Sequence, residues 1–350
     1  MTSRFPRTTG TTRNGVPVPS DIPLVAESFD EAGYETAAIL SNWNLKAELS
    51  GLERGFASYD DSFSKKRVGV AKTERGSDEV TERALRWLAG RSAKRPFFLW
   101  THYMDPHGPY KTHQGFNPCG APLRELRPVE RTRSRYDSEV AFTDYHIGWL
   151  LDALPKDNTY ILFASDHGES LHEHHYLGHT RRVYQTTVRV PLFISGPAID
   201  PRRDASPTRG IDIAPTLLGL AGLPPMSGMK GLDLLRDEIT AARIRVVETY
   251  DGSIPRDAEA RRSLAERPPS LQAVIVGSWK LILGNGKPRL FNLADDPGER
   301  KNAARKHPVK TQRLTALVEA WNTANPKTAT GAVALSEEDM DALKALGYLR

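Results

Sequence analysis

The feature that most constrains this chain is a change of texture near residue 240. Before it, short apolar runs alternate with amphipathic stretches; after it, four short apolar runs follow one another across close turns. Leu24, Val25, Phe29 and Ala32 fall at helical spacing over 22–33, and a short strand is expected over 34–40. Val80, Ala84, Trp87 and Leu88 mark a second helix over 78–90, and a buried strand begins at Phe97. A long helix is expected over 136–154 with Val140, Thr143, Ile147, Leu150, Leu151 and Leu154 inward. Strands over 159–164 and 191–195 and a helix over 211–222 complete this part. Such alternation predicts an α/β domain with a mixed, largely parallel sheet between helices. The runs at 244–248, 271–276, 279–283 and 289–293 predict a smaller antiparallel sheet. One helix over 308–321 would cover it with Leu314, Leu317, Val318 and Trp321. The expected organisation is 1–242 as the α/β domain, 243–325 as a small C-terminal α+β subdomain and 326–350 as a tail. Residues 251–269, charged and proline-containing, read as an exposed insertion.

Composition narrows the function classes. With 350 residues and 39% hydrophobic content the chain can bury a large core. No apolar run approaches the roughly 18 residues of a membrane span, so none is expected. The first residues, Met1 to Pro6, form no apolar signal core. A net charge of +5 suits an anionic substrate. The basic pairs Arg181-Arg182, Arg202-Arg203 and Arg261-Arg262 are scattered, and no zinc-finger or RNP-like pattern accompanies them, so nucleic acid is not expected. Cys119 is the only thiol, which excludes an intramolecular disulfide framework. It lies in a loop with no histidine base close in sequence and reads as inert. Oligomeric state and compartment stay open: periplasmic or extracellular if a signal peptide lies upstream, otherwise cytoplasmic.

The chemistry concentrates in three segments. The apolar run Leu162-Phe163-Ala164 stops at Ser165-Asp166-His167-Gly168-Glu169, which puts a carboxylate and an imidazole at a strand's carboxyl end. In α/β sheets that edge is where ligands bind. Carboxylate oxygens suit hard divalent cations, and an imidazole suits manganese, zinc or iron. Gly168 would allow the backbone turn that brings both to one ion; the plainer alternative is that Asp166 caps a following helix. Upstream, Asp105-Pro106-His107-Gly108-Pro109-Tyr110 follows a buried strand, and its prolines suit a loop that holds His107 as a general acid. His102 alternates with Tyr103 on that strand and reads as structural or supporting. Downstream, His179 follows Gly178 with Arg181 and Arg182 beside it, a cationic loop suited to an oxyanion. The tract His172-Glu173-His174-His175 lacks the His-Glu-x-x-His spacing, because Tyr176 stands in place of the second histidine, and reads as solvated. Gly284 to Lys287 reads as a hairpin turn.

Taken together and in order, these motifs resemble the sulfatase family of the alkaline-phosphatase superfamily. Phe97 to Tyr110 is similar to its Pro-Phe-Phe-Leu…Asp-Pro-His-x-Pro-Tyr segment, and Tyr160 to Glu169 to its strand ending in Ser-Asp-His-Gly-Glu. Gly178-His179, Tyr184 and Arg189-Val190-Pro191 resemble its Gly-His…Tyr…Arg-Val-Pro stretch. Asp212 to Leu217, Trp279-Lys280-Leu281, Phe291 to Glu299 and Leu343 to Tyr348 match later landmarks. The resemblance implies metal-assisted hydrolysis of a sulfate monoester, on a small anionic substrate or a sulfated glycan. Asp166 and His167 would be ligands to a divalent metal, usually calcium, with manganese or zinc as alternatives; His167 stands where many members have asparagine. His107 would protonate the leaving alcohol and His179 would contact the sulfate. His102, Arg181 and Asn42 would bind substrate.

The resemblance also implies a formylglycine nucleophile made from a Cys/Ser-x-Pro-x-Arg motif, and these residues contain no such motif. Thr2 to Gly10 is similar to the segment that directly follows it, which would place the nucleophile about seven residues before Met1, and a metal-binding aspartate pair further upstream. The expectation is therefore an amino-terminally truncated sulfatase sequence, inactive on its own. Ser41-Asn42-Trp43-Asn44 sits where some members have Lys-x-His. Two alternatives are a phosphodiesterase, phosphonate monoester hydrolase or phosphoethanolamine transferase on the same scaffold, and a non-catalytic relic.

Overall fold

The computed structural model describes residues 1–63, 74–250, 267–284, 286–328 and 335–345. Most of the 251–269 insertion lies outside these residues. The chain divides into two compact units. Among the described residues, one contains 1–13, 160–250 and 267–328, and the other contains 14–63, 74–159 and 335–345.

The second of these is built on a parallel sheet. Strands β1 (Glu35–Ile39), β2 (Ser58–Asp60) and β3 (Phe97–Thr101) lie in the order β2-β1-β3, all parallel. The middle strand reads Glu-Thr-Ala-Ala-Ile, and Ala37, Ala38 and Ile39 are buried, as a strand covered on both faces requires. The helix Ser77–Gly90 lays Val80 and Ala84 on this sheet beside Ile39 and Leu150, with Trp87 and Leu88 packed around them. Two acidic residues in its first turn, Asp78 and Glu79, complement the helix dipole. The helix Glu337–Ala345 packs Ala342 against Trp43, Leu49 and Met104, and Asp339 accepts a 2.9 Å hydrogen bond from the Trp43 indole.

The long helix runs from Pro128 to Asp152 and so begins eight residues before the expected start at Tyr136. Its inward stripe is also not the expected apolar one. Ser134, Ser138, Glu139, Thr143, His146 and Leu150 are buried, whereas Val140 is 41% exposed. Ser138, Glu139 and Thr143 meet hydrogen-bonding partners from the loop after β3 and from Ser77, which is why an apolar pattern could not locate them.

In the other unit, β4 (Ile161–Ala164) pairs antiparallel with β7 (Leu192–Ser195), and the two-residue strands β5 (Ser170–Leu171) and β6 (Leu177–Gly178) pair between them in sequence. Four strands, β8 (Arg245–Thr249), β9 (Leu271–Val276), β10 (Trp279–Gly284) and β11 (Arg289–Asn292), form an antiparallel meander in the order β11-β10-β9-β8. Alternation divides its side chains between two faces. Val274, Leu281 and Leu290 meet Leu314 and Val318 of the helix Pro308–Ala324, while Ala273, Ile282 and Phe291 meet Val183 and Tyr184. Gly277 and Ser278 turn the β9–β10 hairpin; Gly277 has φ +55°, the region a tight hairpin turn demands of its first residue. The mixed α/β class, the parallel sheet and the small antiparallel sheet all match the expectation from sequence.

Candidate functional site

The Ser-Asp-His-Gly motif lies at the carboxyl end of β4. The pairing with β7 ends at Ala164 and Leu192, and a 3.4 Å hydrogen bond from Ser165 N–H to the Pro191 carbonyl carries it one step further. The Ser165 hydroxyl then donates to the His167 carbonyl at 2.5 Å and closes a tight turn. Gly168 is needed here for a reason other than turn freedom: a Cβ on it would lie 2.3 Å from the Thr186 carbonyl oxygen. No helix follows for Asp166 to cap; its Oδ1 accepts the neighbouring His167 N–H at 2.9 Å.

This turn brings Asp166 and His167 together. His167 Nδ1 lies 2.9 Å from the Gly168 carbonyl, so it must carry the ring proton and Nε2 presents the lone pair. That Nε2 is 3.7 Å from Asp166 Oδ2. Two donors so separated can share one ion at bonds of about 2.0–2.4 Å. The Asp166 side chain is 75% exposed and so open to a ligand. A backbone carbonyl holding the far side of the ring is how metal-binding histidines are oriented. The donor set therefore fits a divalent cation.

His179 joins this group. Its ring stacks on that of His167, with centroids 3.8 Å apart and planes 21° apart. Its Nδ1 lies 3.3 Å from both oxygens of Glu169, whose side chain is only 5% exposed. Glu169 was visible in the motif without a role; the short hairpin of β5 and β6 is what folds His179 back beside it. Arg181 is exposed and donates its N–H to the His179 carbonyl, and Arg182 lies over the Tyr176 ring. His172 and His175 are exposed, as expected of a solvated tract, but His174 stacks on Tyr184 at 3.6 Å. The backbone at His172, His174 and His175 has φ of 79°, 51° and 55°, left-handed conformations that are costly outside glycine.

His107, His102 and Asn42 belong to the other unit. His107 follows β3 in a loop fixed by side chains as well as prolines. Asp105 accepts the Ser77 N–H at 2.5 Å and the Ser77 hydroxyl, Glu139 accepts the Lys111 N–H at 2.5 Å, and Ser138 Oγ accepts the His113 N–H at 2.9 Å. His107 Nδ1 lies 2.7 Å from the Gly108 carbonyl, which again places the ring proton on Nδ1 and makes Nε2 the basic nitrogen. His102 Nδ1 lies 2.9 Å from the buried Ser41 hydroxyl, and its N–H continues the sheet by donating to Ile39. Asn42 uses its side-chain oxygen locally, accepting the Asn44 N–H at 3.0 Å to cap a short 3-10 turn.

Residues 1–223 match the sequence profile of the family described as Sulfatase. The chain belongs to the sulfatase family. It is 30% identical over 264 residues to the choline-sulfatase of Rhizobium meliloti (strain 1021), covering 64% of this chain and 50% of that protein. It is 26% identical over 308 residues to arylsulfatase K of Danio rerio, covering 72% and 58%. The chain thus spans about half the length of the curated relatives it matches. Among solved structures, the phosphonate monoester hydrolase of Agrobacterium radiobacter superposes with TM-score 0.73 at 19% identity, over 96% of this chain and 87% of that one. A protein solved with D-glucosamine-2-N,6-O-disulfate superposes with TM-score 0.69 at 19% identity, over 92% and 86%. These neighbours share the sulfatase fold. Sulfatases generally use a divalent metal.

Proposed function

We propose that this sulfatase-family chain supplies the acid, the oxyanion contact and part of the metal site for hydrolysis of a sulfate monoester. Asp166 and His167 Nε2 are the metal ligands. A cation bound there, calcium or a softer ion suited to the imidazole, would offset charge that develops on the sulfate oxygens. His179, braced by Glu169, contacts the sulfate, and exposed Arg181 adds positive charge nearby. His107 carries a proton to the leaving alcohol from Nε2, the nitrogen its Gly108 contact leaves basic. His102, held by Ser41, and Asn42 are assigned to substrate binding. The observation that carries this reading is the 3.7 Å approach of Asp166 to His167 with the His179 ring stacked beside them.

The substrate is a small anionic or glycan sulfate ester. A net charge of +5 favours such ligands, and structural neighbours were solved with a glucosamine disulfate and with a neocarrahexaose. The 350 residues hold no Cys/Ser-x-Pro-x-Arg motif, so we propose that by themselves they do not turn over a sulfate ester. The test expresses both this chain and a chimera that adds a sulfatase's Cys-x-Pro-x-Arg segment before it, each alongside a formylglycine-forming activity. Hydrolysis of aryl and sugar sulfates by the chimera, and none by the 350-residue chain, is expected. Turnover of a phosphonate monoester in preference to sulfate would favour the second reading, which the imidazole of His167 and the fold of the phosphonate hydrolase recommend. No turnover of either ester would reject both.

A further inference from the structure

A second group of donors lies where the loop after β3 meets the long helix. Ligating atoms of Asp105, His113 and Glu139 all fall within 4.8 Å of one another. His113 Nε2 is 2.6 Å from Glu139 Oε2, and the Glu139 side chain is 2% exposed. None of these residues is assigned to the substrate or to the Asp166–His167 cation in the reading above.

Each donor is held from behind. The Ser77 N–H and hydroxyl both donate to Asp105 Oδ2, which leaves Oδ1 facing the other donors. Glu139 Oε1 takes the Lys111 N–H, which turns Oε2 toward His113. The His113 ring stacks on Phe142 at 3.8 Å and 5°, and its backbone N–H is fixed on Ser138. Metal-binding carboxylates and imidazoles are commonly oriented by outer contacts of this kind.

Charge points the same way. Two carboxylates converge with one imidazole, while the Lys111 ammonium lies out at Glu74, 3.9 Å away and 66% exposed. Two carboxylates and one imidazole suit zinc or manganese better than calcium, which takes oxygen ligands.

We infer that Asp105, His113 and Glu139 form a second divalent-cation site, selective for zinc or manganese over calcium. Because Asp105 and His113 bracket the loop that bears His107, the ion ties that loop to the long helix. The inference goes beyond the sulfatase reading and uses none of its proposed ligands.

The test is calorimetric titration of the chelator-treated chain with zinc, manganese and calcium. Wild type and the Asp166→Asn/His167→Asn variant should each keep a zinc site. His113→Gln, Glu139→Gln and Asp105→Asn should weaken that site by about 10–100-fold. Cobalt should give a visible absorption band in Asp166→Asn/His167→Asn that His113→Gln abolishes. Loss of all zinc binding in Asp166→Asn/His167→Asn, or wild-type zinc affinity in His113→Gln, overturns the inference. Calcium binding as tightly as zinc overturns the selectivity. Should circular dichroism show that His113→Gln or Glu139→Gln is unfolded, the Asp166→Asn/His167→Asn titration and Asp105→Asn decide the matter.

Discussion

At the scale of single residues, close contact explains more than side-chain type. Gly168 sits against the Thr186 carbonyl, so Gly168→Ala forces the turn that carries Asp166 and His167 to shift. The expected cost is about 1–3 kcal/mol, read from the urea midpoint at unchanged slope. Asp60 gives a second case. Its carboxylate meets the almost fully buried Arg75 at 2.9 Å and Arg83 at 2.8 Å. Burial alone would raise its proton affinity, but Ser62, Arg83 and Arg75 outweigh that and hold the carboxyl below its ordinary range. Folding therefore favours the ionised form. The stabilisation is present above the ordinary carboxylate pKa of about 3.9 and is lost as pH falls through the lower folded value. Asp60→Asn should cost about 2–3 kcal/mol at neutral pH, since it takes the nearest carboxylate from a buried guanidinium, which keeps Glu79 and the Asp60 and Ser62 carbonyls. Denaturation series at several pH values should show wild type and variant converging on acidification; a constant gap would remove Asp60 from the account.

At the scale of elements, the legible parts were those whose apolar residues keep one period. The helices Ser77–Gly90 and Pro308–Ala324 and strands β9 to β11 stand where their spacing puts them. The long helix failed that reading because its buried stripe is polar, with Ser138, Glu139 and Thr143 satisfied by residues distant in sequence. Nothing in the spacing of Asp105, His113 and Glu139 announces that they meet. Likewise Glu169 gains its role only once β5 and β6 fold His179 back onto it. On β10, Lys280 is wholly buried and bonded to Glu299 at 2.7 Å, with Glu299 also accepting the Gln185 N–H at 2.5 Å. Lys280→Met strands that carboxylate and should destabilise the chain by about 3–5 kcal/mol. The double variant Lys280→Met/Glu299→Leu should recover part of that loss. Equal destabilisation by the single and double variants in urea would show that the ion pair itself is not what matters.

At the scale of the whole molecule, a sulfatase fold appears as two compact units, each with its own sheet and core. No helix among the described residues is long and apolar enough to cross a membrane. The excess of positive charge should make capture of sulfated oligosaccharides salt-sensitive, with affinity falling as ionic strength rises from about 0.01 to 0.15 M. Fluorescence anisotropy with a labelled sulfated glycan would show it; salt-independent binding would assign recognition to apolar contacts instead. On the proposed function, the strand-end donors Asp166 and His167 hold a cation which, with His179, captures a sulfate oxyanion. Calorimetric titration of the 350-residue chain with inorganic sulfate, in calcium or manganese and again in chelator, tests this. Binding should need the cation and disappear in Asp166→Asn/His167→Asn while the fold persists. Sulfate binding of equal strength in chelator, or undiminished in that variant, would contradict it.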